Sequence, residues 1–274
     1  MKMKLFKTNR VISLLFFILF CQVSFGQISL GFDYEFGQGG IVNTPIPGYD
    51  SDISSIFQLA DNKIVIVGEA YDDNSNEVMA VVARYLVDGT LDTSFGTNGI
   101  TSFYYNNLSI TLEELAVDAA GKIYVVGYIE STQGLYTAVI SRLTADGFID
   151  TTFGNAGFIL TSYGTALESA GLDIAIQPDG KIIIAGVVED NSNPNYDELA
   201  DFALARYNTD GTLDTNFGNS GYVITEFNAN HYDYIASMQL QADGKIVAGG
   251  LSTTEDPNTF EETSDVVAAR YNSD

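Results

Sequence analysis

The sequence is poor in the residues that build thiol and imidazole sites. It has one cysteine, one histidine, no tryptophan and five prolines among 274 residues. Cys21 lies near the N-terminus, so a chain cleaved after Gly26 has no disulfide, cysteine nucleophile or cysteine-ligated zinc. His231 stands in a polar stretch, which favours a solvated loop histidine over a zinc ligand or a catalytic base.

Positive charge is also scarce. Lys+Arg number 12 against Asp+Glu 36, which gives a formal net charge of -24. Nucleic acid and anionic membranes bind to basic surfaces, so we expect neither as an electrostatic partner. The hydrophobic fraction of 46% excludes a chain that is disordered throughout.

The N-terminus predicts export. A basic stretch precedes the apolar run from Val11 to Phe20, and Ser24 and Gly26 place small residues before a cleavage site. The run is shorter than the roughly 20 residues of a spanning helix. We therefore expect a signal peptide over 1–26, no membrane span in the mature chain, and a secreted or cell-surface location. A membrane anchor and lipidation of Cys21 are the alternatives, and the bulky Phe20 argues against lipidation.

Three motifs recur along the rest of the chain. One is F-G-x-x-G, at 36–40, 95–99, 153–157 and 217–221. The other two contain all the cations that follow residue 26, namely Lys63, Lys122, Lys181, Lys245, Arg84, Arg142, Arg206 and Arg270. The spacing from each arginine to the next lysine is 38 or 39 residues, whereas the spacing from lysine to arginine varies from 20 to 25. Insertions therefore collect in one loop of each copy.

Each copy predicts four strands. Residues 171–177 alternate between apolar and polar, residues 182–185 are apolar throughout, and 202–207 and 222–226 follow. The Asp179-Gly180 pair between the first two predicts a tight turn. Four strands every 58 to 64 residues predict an all-β fold, a β-propeller or propeller segment of four four-stranded antiparallel blades. A β-solenoid is the alternative.

The phrases ALARYNTDGTLDTNFGNSGYVITEF and IAIQPDGKIIIAG resemble the delta-60 repeat, a propeller-type repeat family of secreted bacterial proteins. The resemblance spans a domain at 27–274, with copies at about 30–86, 87–144, 145–208 and 209–272. It implies a propeller fold and an extracellular setting, and it transfers no catalytic residue. Phe32-Asp33 and Ala120-Gly121 depart from its pattern. The sequence stops at Asp274, before the glycine of the other copies, which favours a truncated array over a four-blade ring.

The repeated cations suggest structural pairs rather than a ligand site. One aspartate per copy follows each arginine, and identical units require identical internal pairs. The predicted structural set is Arg84, Arg142, Arg206, Arg270, Asp92, Asp150 and Asp214. The phenylalanines Phe95, Phe153 and Phe217 are expected in the core.

The variable loops hold the functional candidates. They are acidic and rich in amides and hydroxyls, which suits the oxygen ligands of Ca²⁺. The weak calcium candidates are Asp72, Asp73, Asp190, Asp197, Asp256 and Glu261. A solvated acidic face is the alternative. Among the loop tyrosines, Tyr71 and Tyr196 are candidates for stacking on sugars.

These features predict an exported, non-catalytic scaffold that binds an extracellular protein or glycan at a cell surface, with calcium as its only candidate cofactor. The alternative is a carbohydrate-active enzyme that uses two carboxylates on one propeller face. No spacing rule selects such a pair among 36 acids.

Overall fold

The computed structural model describes residues 31–72, 77–163, 167–190, 200–227, 232–255 and 262–273. Every helix or strand within those ranges is a β-strand. The predicted signal peptide, His231 and Tyr196 lie outside them.

Fifteen strands form successive antiparallel units, here called blades. The first blade contains β1 (Asp50–Gln58), β2 (Ile64–Asp72), β3 (Glu77–Tyr85) and β4 (Ile100–Phe103). The second contains β5 (Ile110–Val117), β6 (Ile123–Glu130), β7 (Tyr136–Leu143) and β8 (Phe158–Thr161). The third contains β9 (Leu167–Ile176), β10 (Ile182–Asp190), β11 (Ala200–Tyr207) and β12 (Tyr222–Thr225). The fourth contains β13 (Tyr232–Leu240), β14 (Ile246–Glu255) and β15 (Glu262–Tyr271).

The third and fourth blades are joined at one point. Ala200 of β11 and Tyr232 of β13 form a single parallel pair, which links the two blades into a seven-stranded sheet. The sequence predicts four four-stranded blades. The structure has three of them, and the fourth blade has three strands among the described residues.

The blades are offset from the sequence copies. Each of the first three blades takes its short outer strand from the F-G-x-x-G segment of the following copy, as β4 does by pairing with β3 (Ala83 with Ile100). The boundary between blades therefore lies inside a sequence copy and not between two copies.

The turns between the first two strands of each blade need a left-handed residue. Asn62 has φ 66° and Gly180 has φ 85° at the corresponding place. Both residue types tolerate positive φ. A lysine follows each turn and directly precedes the apolar second strand. The turn therefore fixes where this lysine lies.

A β-bulge recurs in the first strand of every blade. In β5 the register shifts between Leu112 and Glu114, which leaves Glu113 without a paired residue. The bulge lies opposite a glycine, and a Cβ built on Gly127 would lie 1.9 Å from the carbonyl oxygen of Thr111. A bulge locally re-aims side chains. Glycine is required here because the two backbones approach too closely for any side chain.

The core lies between successive blades. Three clusters of buried apolar residues fill the junctions, and each draws on two neighbouring blades. The junction of blades two and three, for example, contains Val126 and Ile140 against Ile182 and Ile184. A single blade has two apolar faces, so it becomes stable only by stacking against its neighbours.

The outer faces of the first and fourth blades remain exposed. Ile53 and Ile56 of β1 are 62% and 67% exposed, and Val266 of β15 is 88% exposed. The corresponding residues of the inner blades lie in the core, as Leu112 and Leu115 do.

Candidate functional site

The repeated cations form three equivalent ion-pair triads with the aspartates of the F-G-x-x-G segments. In the second blade, Asp150 Oδ2 lies 3.0 Å from Arg142 Nε and 2.9 Å from Lys122 Nζ. The other two triads are Lys63–Asp92–Arg84 and Lys181–Asp214–Arg206, with distances from 2.8 to 3.0 Å. The aspartates and arginines are buried. Each triad thus ties two strands and a turn together.

Each triad also reaches the next repeat. The Arg142 Nη1 donates a hydrogen bond of 2.8 Å to the carbonyl oxygen of Thr209, and its guanidinium lies 4.4 Å from the Phe153 ring centroid. Phe153 is fully buried, as are Phe95 and Phe217, which confirms their predicted place in the core. The arginine therefore has partners for its charge, its donors and its planar face.

The surroundings of the triad aspartates keep them ionised. The Thr152 hydroxyl donates a hydrogen bond to Asp150, and this bond together with Lys122 holds the pKa of Asp150 well below its usual range. Ser94 acts in the same way on Asp92, whose pKa is also lowered. Because these charges are buried or paired with one another, the triads do not form an open ligand site.

The fourth blade has no complete triad among the described residues. Arg270 is exposed, and Lys245 Nζ pairs with Asp243 of its own turn. Arg270 was predicted as part of a structural pair; no carboxylate among the described residues forms an ion pair with it.

The calcium candidates fall mostly outside the described residues. This holds for Asp73, Asp197, Asp256 and Glu261 and for the side chain of Asp190. Asp72 ends β2 at the edge of the first loop. Within the described ranges, no three acidic, histidine or cysteine side chains are grouped closely enough to hold a metal ion.

A second group of polar side chains lies where the β2–β3 and β6–β7 loops begin. It consists of Glu69 and Tyr71 on β2, Glu113 on β5, Tyr128 on β6 and Tyr136 on β7, and is called the tyrosine–carboxylate cluster below. All five side chains are partly buried. None belongs to the repeated motifs.

One hydrogen bond and one ring contact each join two members of this cluster. The Tyr71 hydroxyl donates to Glu69 Oε1. The rings of Tyr128 and Tyr136 meet edge to face, with centroids 5.4 Å apart and planes at 90°. Partly buried tyrosines beside carboxylates offer an apolar face together with hydrogen-bond acceptors.

Glu113 is the electrostatic centre of the cluster. Burial raises its pKa to about 7, and the nearby Glu69 and Glu114 carboxylates add to the shift. Burial also raises the pKa of Tyr128 to about 12. Burial and the charge of Glu113 raise the pKa of Tyr234, which lies on the first strand of the fourth blade. The Glu113 carboxyl on the bulge therefore lies near the first strand of another blade.

Sequence reasoning predicts Tyr71 as a candidate and misses the other four residues of the cluster. Glu113 becomes prominent because the bulge leaves it unpaired, and the register that creates the bulge is not visible in residue types. The sequence does contain one signal of the bulges. A glycine lies opposite each of them, at positions 68, 127, 186 and 250.

Four stretches of the chain match one family model, described as a domain of unknown function (DUF5122) beta-propeller. The matched residues are 59–95, 121–153, 177–217 and 241–274, which together exceed half of the chain. The chain belongs to the DUF5122 β-propeller family. This confirms the predicted propeller class. Each of the three triads lies within one of the matched stretches.

Similarity of this DUF5122 protein to solved structures is weak. One match is a mannose phosphorylase from Leishmania mexicana, MPT-4, determined in complex with phosphate ion. The identity is 14% and the TM-score 0.40; the alignment covers 84% of this chain and 66% of the phosphorylase chain, just under two thirds. No curated protein matches the sequence. Among the described residues, no helix is long and apolar enough to cross a membrane.

Proposed function

We propose that the protein is an exported, non-catalytic β-propeller scaffold that binds a neutral glycan at its tyrosine–carboxylate cluster. The observation that carries this proposal is the cluster itself. It places non-repeated tyrosines and carboxylates beside variable loops, while the repeated charges of the first three blades form ion-pair triads. Tyrosine faces stack on sugar rings, and carboxylates accept hydrogen bonds from sugar hydroxyls.

The charge of the protein favours a neutral ligand. With a formal net charge of -24, the surface repels acidic polysaccharides, nucleic acids and anionic membranes. The apolar leader at 11–20 supports secretion to the cell surface, where such glycans occur. The two phrases that resemble the delta-60 repeat support that more specific assignment within the propeller class.

Calcium is proposed as an accessory ligand of the acidic loops. Oxygen-rich loops that lead away from Asp72 and Asp190 support this, because carboxylate, amide and hydroxyl oxygens are the ligands that Ca²⁺ prefers. The thermal midpoint should rise with CaCl₂ by mass action and return to its starting value in EDTA. The same midpoint in calcium and in EDTA would contradict the calcium proposal and leave the glycan proposal to its own test.

A second candidate function rests on Glu113. A carboxyl with a pKa of about 7 is suited to donate or accept a proton near neutral pH, and Glu69 lies near it as a second carboxylate. This favours a glycoside hydrolase as the alternative. Under this alternative, the protein releases reducing sugar from an oligosaccharide panel, and Glu113→Gln abolishes that release.

The deciding experiment is binding to a panel of neutral oligosaccharides, followed by calorimetric titration of the hits. Tyr128→Ala should weaken binding about tenfold, because a central aromatic contact is lost. Phe148→Ala is the matched control, since Phe148 is 55% exposed and does not belong to the cluster. Binding without turnover supports the scaffold. The proposal is overturned if no neutral glycan binds, or if Tyr128→Ala, still folded by thermal melting, binds as tightly as the unaltered chain.

A further inference from the structure

An open groove lies beside β8, the outer strand of the second blade. It encloses about 420 Å³, and Gly154 and Gly211 are among the residues that line it. This volume is within the roughly 300–1,000 Å³ of small-molecule sites. Tyr136 of the tyrosine–carboxylate cluster begins β7, whereas Phe158 of the groove pairs with Ser141 near the end of that strand. The groove and the cluster therefore lie at opposite ends of β7.

Part of the lining is aromatic and apolar. It consists of Tyr105, Phe158, Ile159 and Leu160. The Tyr105 and Phe158 rings meet edge to face with centroids 5.3 Å apart, and Leu160 is 41% exposed. Tyr163 is the counterpart of Tyr105 in the next sequence copy, and it is only 3% exposed. The same repeat position is therefore buried in one copy and lines an open groove in the other.

The remaining side chains of the lining are polar, namely Asn155, Asp210 and Thr212. Asp210 Oδ1 accepts hydrogen bonds from Thr212 N at 2.9 Å and from Thr212 Oγ1 at 2.7 Å. These bonds hold the pKa of Asp210 below its usual range. No described residue donates to Asp210 Oδ2 or bonds to the Asn155 side-chain amide. The carboxylate therefore remains available as an acceptor, and the amide as both donor and acceptor.

The charges around the groove favour a neutral ligand. Asp210 is the one charged side chain of the lining, and it repels anions. A single carboxylate does not supply the roughly 6–8 oxygen ligands of Ca²⁺. The charge of Arg142 acts on Asp210 and lowers its pKa, so a cationic ligand would also meet a positive charge there.

We propose that this groove is a second binding site, for a neutral sugar, separate from the tyrosine–carboxylate cluster. Tyr105, Phe158 and Leu160 cover the apolar face of the sugar ring. Asp210 Oδ2 accepts hydrogen bonds from its hydroxyls, and the Asn155 amide donates and accepts. Three parts of the chain build the site, because Tyr105 precedes β5, Phe158 begins β8 and Asp210 follows β11.

An NMR titration tests whether the groove is occupied. Gly154 N donates to the Asp210 carbonyl oxygen at 2.9 Å, so the amide signals of Gly154 and Gly211 report on the groove. The titration uses the Tyr128→Ala chain, which lacks a central aromatic contact of the cluster, with maltotriose, cellotriose and mannotriose as probes. At least one trisaccharide should shift both signals to saturation, and CaCl₂ should shift neither. Signals that no trisaccharide shifts, or that CaCl₂ shifts equally, overturn the groove proposal. Glycan binding by the unaltered chain would still test the cluster separately.

A residue of the preceding copy supplies the variant that fills the groove. Phe148 holds the position that Thr212 holds one copy later, so Thr212→Phe places there a side chain that an equivalent turn accommodates. Thr90→Phe is the matched control, since Thr90 N and Oγ1 donate to Asp88 Oδ1 at 3.0 and 2.7 Å, outside the groove.

In the Tyr128→Ala background, Thr212→Phe should weaken trisaccharide binding at least about tenfold, and Thr90→Phe less than about twofold. The dissociation constant is read from the Gly154 and Gly211 shifts, and thermal melting checks that both variants are folded. Equal dissociation constants for the two folded variants would show that the sugar binds elsewhere and would overturn the proposal.

Discussion

At the scale of single residues, the triad arginine is the side chain on which most contacts depend. Arg206 pairs with Asp214, lies 4.6 Å from the Phe217 ring centroid and donates to the carbonyl oxygen of Ser273 in the next repeat. Removing it leaves the buried carboxylate of Asp214 and the carbonyl oxygen of Ser273 with fewer donors. Breaking a buried pair on one side is costly because the remaining charge stays out of water.

Arg206→Ala should therefore lower the free energy of unfolding by about 3 kcal/mol, measured by urea denaturation. Arg270→Ala is the matched control, because Arg270 occupies the same repeat position, is exposed and has no ion pair among the described residues. This substitution should change the stability by less than about 0.5 kcal/mol. Equal losses for the two variants would show that the triad is not what stabilises the blade.

A different residue controls the pH dependence. The pKa of Glu113 is about 7 in the folded protein and near its ordinary value in the unfolded chain. Between these values the folded state holds a proton that the unfolded state has lost, so stability falls as pH rises from about 4.3 to about 7. The pKa of Asp92 and Asp150 is lowered, so their contribution is present above about pH 4 and is lost only in stronger acid.

Glu113→Gln should remove the fall in stability between pH 5 and pH 8. The thermal midpoint of the variant should exceed that of the unaltered chain at pH 8, with a free-energy gain of roughly 1 to 3 kcal/mol, and match it near pH 4. Glu130→Gln is a suitable control, since Glu130 is exposed at the end of β6. A variant that keeps the full pH dependence would place the titrating group elsewhere.

At the scale of strands and turns, most of the structure could be predicted from the sequence. The predicted runs at 182–185 and 202–207 lie within β10 and β11, because apolar runs and glycine turns encode strands locally. The bulge, the participation of the lysines in the triads and the tyrosine–carboxylate cluster could not be predicted. They depend on which residues face each other across strands, and pairing register is a property of the assembled blade.

The bulge glycines give the prediction that belongs to this scale. Gly127→Ala should destabilise the protein by about 2 kcal/mol or more, because its Cβ would lie 1.9 Å from a backbone oxygen of β5. Gly249→Ala is the control in the equivalent second strand of the fourth blade. The nearest atom to its added Cβ is 3.7 Å away, so its unfolding midpoint should move little. Similar urea midpoints for both variants would contradict the close approach of β5 and β6.

At the scale of the whole molecule, the blades are held together by contacts that repeat from one junction to the next. Gly96 N donates to Asp146 O and Gly154 N donates to Asp210 O, each bond crossing to the following repeat. The sequence predicts four four-stranded units, whereas the described residues form three four-stranded blades and three strands of a fourth. The repetition of the units could be predicted from their spacing; the offset between copies and blades could not, because it depends on which strands pair in the folded blade.

Amide hydrogen exchange followed by NMR tests this stacking most directly. The Gly96 and Gly154 amides lie in turns, and they are protected only if the neighbouring repeat supplies their acceptors. Both should exchange more slowly than the unfolded chain by a factor of about 1,000 or more, and together with the core strands. Gly134 donates within its own turn to Ser131 and should exchange quickly. Gly96 and Gly154 amides that exchange as fast as that of Gly134 would contradict the stacked arrangement of repeats.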